Sequence, residues 1–93
     1  MPDTSHARME LEAHRAAIDV IDRQLVALIN ERAGHSLAIR ELKPTLGMKL
    51  YDPAREGEIF ERISAYSEGP LYDQGLREIY ETLLKVMKET PSA

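Results

Sequence analysis

Cysteine and tryptophan are absent from this chain, and phenylalanine occurs once. The first absence excludes a disulfide framework and thiolate chemistry, and it fits a reducing compartment. Aromatic residues make up only 5% of the chain, so a core must be built from Leu, Ile, Val and Ala on helices. Basic charge is not in excess either: the net charge is −4. The surface as a whole therefore attracts neither nucleic acid nor anionic membrane, and any basic site must be local. No segment approaches the ~20 apolar residues of a membrane span, and the opening MPDTSHARME lacks the apolar region of a secretory signal. These absences predict a soluble, cytoplasmic protein. His6, His14 and His35 have no metal-ligand spacing, and no HExxH, Gly-rich phosphate loop or nucleophile motif occurs. Neither a metal nor a cofactor is expected.

What is present is a long helical pattern, LEAHRAAIDVIDRQLVALINERAGHSLAIRELK, from Leu11 to Lys43. Set in heptads, one stripe reads Leu11, Ile18, Leu25, Arg32 and Ile39, and a second reads His14, Ile21, Leu28, His35 and Leu42. Apolar residues at this spacing, sustained over more than four heptads, mark a helix with one buried face. At ~1.5 Å per residue this helix spans roughly 50 Å, far beyond the ~13 Å radius of gyration of a chain near 100 residues. A chain of 93 residues cannot wrap such a rod by itself. The stripe needs a partner, most simply the same helix from a second copy, which predicts an obligate homodimer.

Before it, residues 1–8 read as a polar tail, with Thr4 and Ser5 as candidate N-caps. Pro44 is expected to end the long helix, because it lacks an amide donor and disfavours helical geometry at Lys43. Gly34 is a weak point of about 1 kcal/mol against Ala, explained by close approach of another backbone. The segment from Pro44 to Tyr51 reads as a loop. Asp52-Pro53 opens a second helix with Asp as N-cap and Pro at the first position. Its apolar face is Ile59, Phe60, Ile63 and Tyr66. Asp73 is the expected N-cap of a third, whose face is Leu76, Ile79, Tyr80, Leu83, Leu84 and Met87. No strand pattern, repeat or low-complexity tract occurs. The expected fold is all-α, one domain over residues 1–93 with tails at 1–8 and 90–93.

Arg32 is the anomaly in this pattern. A guanidinium on an apolar seam is costly unless something anionic meets it. Lys43 lies eleven residues on, about 20° around the axis and ~16 Å along it, so the two cations can lean over one small anion. Arg15 lies seventeen residues before Arg32, roughly 260° around, and could join that site only from the partner subunit. Asp52, Arg55 and Glu56 share one face of the second helix. Plainer explanations stand beside these: Asp52 as a cap, Arg55, Glu56 and Arg15 as solvated charges, Lys43 as a complement to the helix dipole, and Arg32 as a snorkelling residue.

Arg15, the Glu31-Arg32 pair seventeen residues on, Lys43 eleven further, and D-x-x-R-E as Asp52-Pro53-Ala54-Arg55-Glu56 together resemble the AroQ-type chorismate mutases. The resemblance runs from Leu11 to Met87 and extends through Glu68-Gly69-Pro70 and the stretch from Tyr80 to Leu84. It implies an all-α fold of three helices per chain, one very long, in an intertwined homodimer. It also implies rearrangement of chorismate to prephenate in Phe and Tyr biosynthesis, without a covalent intermediate, metal or cofactor. Such an enzyme holds a dianion in a chair-like conformer and stabilises the charge that separates in the transition state.

By the same resemblance, Arg32 and the other subunit's Arg15 clamp the two carboxylates, and Lys43 donates to the ether oxygen. Glu56, with the backbone near Asp52, holds the ring hydroxyl, and Arg55 completes the anion-binding wall. The family's Ser and Gln on the last helix fall here on Met87 and Pro91, neither of which donates from its side chain. Met87 then lines that wall, and Thr90 or Lys88 is the neighbour able to substitute. The fold also serves 4-amino-4-deoxychorismate mutases and isochorismate-pyruvate lyases, and Glu56 with Asp52 suits a hydroxyl or an amine equally. A non-catalytic helical dimer is the alternative of another class. A larger biosynthetic enzyme as partner stays open.

Overall fold

The structure is a computed structural model that describes residues 3–92. Met1, Pro2 and Ala93, part of the tails expected at 1–8 and 90–93, lie outside the described residues. Three helices follow one another: α1 (Ser5–Leu42), α2 (Pro53–Tyr66) and α3 (Asp73–Glu89). No strand occurs among the described residues. The chain divides into two units at Gly34, inside α1: residues 1–34 and residues 35–93.

In the first unit, α1 begins at Ser5, six residues before the apolar stripe, so residues 5–8 of the expected tail are helical. The reason is local. The Asp3 carboxylate accepts from Ser5 N at 2.9 Å, and the Thr4 carbonyl accepts from Arg8 N at 3.0 Å. The side-chain cap is thus Asp3 rather than Thr4 or Ser5. The bond from the Ser5 amide, seconded by its hydroxyl, holds the Asp3 carboxyl below its usual range. The heptad residues Leu11, Ile18, Ile21, Leu25 and Leu28 are each 47–62% exposed in the single chain. An added Cβ at Gly34 would meet nothing within 4 Å, so the close approach expected there is not made by this chain itself.

In the second unit, Pro44 removes one amide from the α1 ladder, but the backbone keeps turning. Leu46 N reaches the Leu42 carbonyl at 3.3 Å, Gly47 N the Pro44 carbonyl at 3.1 Å and Met48 N the Lys43 carbonyl at 2.9 Å. Gly47 has φ +67°, the left-handed geometry that closes such an ending. The expected loop therefore starts with a further turn stopped by Gly47. Asp52 caps α2, its carboxylate accepting from Arg55 N at 3.1 Å, with Pro53 at the first position.

Helix α3 departs from expectation at its start. Its N-cap is Tyr72, with no side-chain bond, and Asp73 is the first helical residue, favourable there through the helix dipole. Helix α2 packs on α3. Ile59, Phe60, Ile63, Leu76, Tyr80, Leu83 and Leu84 are half-buried, and Met87, at 4% exposure, is the one buried apolar residue among the described residues. Tyr66 and Ile79, expected on the apolar faces, remain 75% and 53% exposed.

Candidate active site

A charged cluster lies within residues 35–93, where the end of α1, the start of α2 and the end of α3 contribute one group each around the loop from Leu50 to Asp52. Lys43 follows the last residue of α1, and its ammonium donates to the Leu50 carbonyl at 2.7 Å. Two residues on, the Asp52 cap fixes the first turn of α2 and so the place of Glu56 one turn further along.

The Glu56 carboxylate meets the Lys88 ammonium of α3. The Glu56 side chain is only 22% exposed, against 54% for Lys88, so the pair is partly shielded from solvent. Lys88 also stands 5.0 Å from the centroid of the Tyr51 ring, a cation–π arrangement. One carboxylate, two ammonium groups and an aromatic face thus surround one loop. Charged groups of these kinds are able to hold an anion and to orient a hydroxyl donor by charge-assisted hydrogen bonds.

The end of α3 is itself held in place. Arg40, on the last turn of α1, donates to the carbonyls of Met87 and Thr90, both at 2.7 Å, and of Lys88 at 3.1 Å. Those carbonyls lie where a helix leaves its acceptors without intrahelical partners and carries partial negative charge. A guanidinium with donors on two nitrogens satisfies three of them at once.

The other expected residues are placed as follows. Arg55 lies with Glu58 at 3.2 Å, and Arg62 approaches the same carboxylate at 3.9 Å, an exposed array along α2. Met87 is buried, and its neighbour Lys88 is the side chain that reaches Glu56. The Thr90 hydroxyl bonds back to the Val86 carbonyl at 2.8 Å. In the first unit, Arg15 pairs with Glu12 at 3.2 Å on an exposed face, and Arg32 is half-buried on a helix otherwise almost wholly exposed there.

Sequence reasoning missed Arg40 and Tyr51. A basic residue in the last turn of a helix signals dipole complementation, but nothing local tells that the helix complemented is α3. Tyr51 carries no signal beyond its place beside Asp52.

The likeness to known proteins follows the same elements. The family model of chorismate mutase type II matches residues 14–90. The chain is 41% identical over 71 residues to the bifunctional chorismate mutase/prephenate dehydratase of Neisseria gonorrhoeae, covering 76% of this chain and 19% of that protein. It is 32% identical over 72 residues to the chorismate mutase of Methanocaldococcus jannaschii, covering 76% of this chain and 73% of that one. The chain spans about a fifth of the length of its bifunctional relatives. Among solved structures, chorismate mutase form II from Thermus thermophilus aligns with a TM-score of 0.82 at 29% identity, over 86% of this chain and 91% of that one. With the family model spanning all three helices, this chain belongs to the chorismate mutase type II family.

Proposed function

We propose that the chain catalyses the rearrangement of chorismate to prephenate, as a single domain acting in an intertwined, obligate homodimer. The observation that carries the proposal is the Glu56–Lys88 pair: a partly shielded carboxylate met by an ammonium from α3, next to a loop whose Leu50 carbonyl accepts from the Lys43 ammonium. The reaction is intramolecular, so the protein has to hold one conformer and meet developing charge with donors already in place. In this reading Arg32 and the other subunit's Arg15 clamp the two carboxylates. Lys43 turns from the Leu50 carbonyl to the ether oxygen as its bond breaks. Glu56 accepts from the ring hydroxyl beside the Asp52 backbone, and Arg55 leaves Glu58 to complete the wall.

The dimer has its own support. Leu and Ile at heptad spacing along α1 are about half exposed in the single chain, and full burial of each such side chain contributes about 1.5–3 kcal/mol. Arg15, far around the helix axis from Arg32, reaches a shared site from a second copy. Among the described residues no helix is long and apolar enough to cross a membrane, which accords with action in the cytoplasm on a small dianionic substrate. The fusion of this activity to another enzyme in relatives supports a larger biosynthetic enzyme as a partner.

The test is chorismate consumption by the purified protein, with the product identified by chromatography and Arg32→Ala run alongside. Prephenate is expected from the wild type, with turnover lower by on the order of 100–1000-fold in the variant, the scale for loss of one preorganised donor. Persistence of chorismate, or a variant as fast as the wild type, would sink the proposal.

A further inference from the structure

We infer that Lys88 determines specificity: it confines Glu56 to rings that offer a neutral hydroxyl and disfavours those that offer a protonated amine at the same carbon. The inference rests on the chorismate mutase reading of the site.

Lys88 is not a free arm. Its ammonium is engaged by the Glu56 carboxylate on α2 and faces the Tyr51 ring, while its own backbone carbonyl is held by Arg40. Its position is therefore set from three parts of the chain. The contact is with Glu56 Oε1, and a carboxylate has a second oxygen, Oε2, that can accept as well.

A ring hydroxyl can donate to Oε2 while the charge pair beside it stays intact. A ring amine is protonated near neutral pH and brings a second cation to a carboxylate that Lys88 already neutralises. Two like charges within a few ångströms of one acceptor repel, and partial burial of Glu56 strengthens the effect. Lys88 is thus the repulsive element that selectivity between near-isosteric donors requires. Lys88 is half exposed, and solvent screening limits the expected discrimination to about fivefold.

The experiment compares kcat/KM for chorismate and for 4-amino-4-deoxychorismate in the wild type, Lys88→Gln and Lys88→Arg, with circular dichroism confirming equal helicity. The wild type is expected to prefer chorismate. Lys88→Gln should lower the chorismate-to-amino ratio by about fivefold, and Lys88→Arg, which keeps the charge, should retain it. A ratio unmoved in Lys88→Gln, or lowered equally in Lys88→Arg, overturns the inference while leaving the mutase reading intact. A wild type that prefers the amino substrate also overturns it. A wild type that turns over neither substrate refutes the mutase reading itself, and the inference with it.

Discussion

Removing the Arg40 guanidinium is the perturbation that most directly tests how the site is held together. It makes three charge-assisted bonds, at 2.7, 2.7 and 3.1 Å, to the last carbonyls of α3. Hydrogen bonds to a charged group contribute about 1.5–3 kcal/mol each, but the three share one side chain. The donors are only part-buried, one contact being exposed, so water replaces some of what is lost. Arg40→Ala is therefore expected to cost about 2–4 kcal/mol, toward the upper range for a single substitution. Urea unfolding followed by circular dichroism measures this. With a slope of about 1–3 kcal/mol/M, the midpoint should fall by at least ~0.7 M. Protein concentration must be held constant, since association adds to apparent stability. Arg40→Lys keeps a charge at the helix end but lacks the planar fork, and should recover about half the loss. Arg40→Ala within about 0.5 kcal/mol of the wild type, the scale of an ordinary surface change, would refute the reasoning and reduce the guanidinium to a solvated charge.

Two further outcomes are expected. Arg15→Ala and Lys43→Ala should each be nearly inactive, yet a mixture unfolded and refolded together should regain about a quarter of wild-type turnover, because half the dimers are mixed and each mixed dimer carries one intact site. No recovery, against active wild type treated the same way, would remove Arg15 from the partner's site. Gly47→Ala should cost about 1–2 kcal/mol in the same urea assay, because φ of +67° opposes a Cβ, although the added carbon meets no atom within 4 Å. Unchanged stability would show that the turn after Pro44 readjusts freely.

The three helices, the Asp52 cap with Pro53 behind it, and the apolar residues Ile59, Ile63, Leu76, Leu83 and Leu84 were legible from sequence alone. Each rests on periodicity or on a bond spanning three or four residues, which the chain's own order dictates. So was the cationic pattern of Arg15, Arg32, Lys43 and Arg55 with Glu56, as a pattern of spacings. The misreading at Asp73 is also local, and so is the extra turn that follows the helix end expected, and found, ahead of Pro44. Tyr72 and Asp73 both suit a helix start, and a proline removes one amide without stopping the turn that Gly47 closes.

Only the tertiary structure decided which charges meet across long intervals of chain. That Arg40 serves the end of α3 rather than its own helix, and that Glu56 pairs with Lys88 beside Tyr51, depends on how α2 and α3 pack and where the loop after α1 returns. A helix specifies neighbours three and four residues away. It says nothing about a partner forty-seven residues on, as from Arg40 to Met87, because that encounter is set by the burial of Met87 and the faces packed around it.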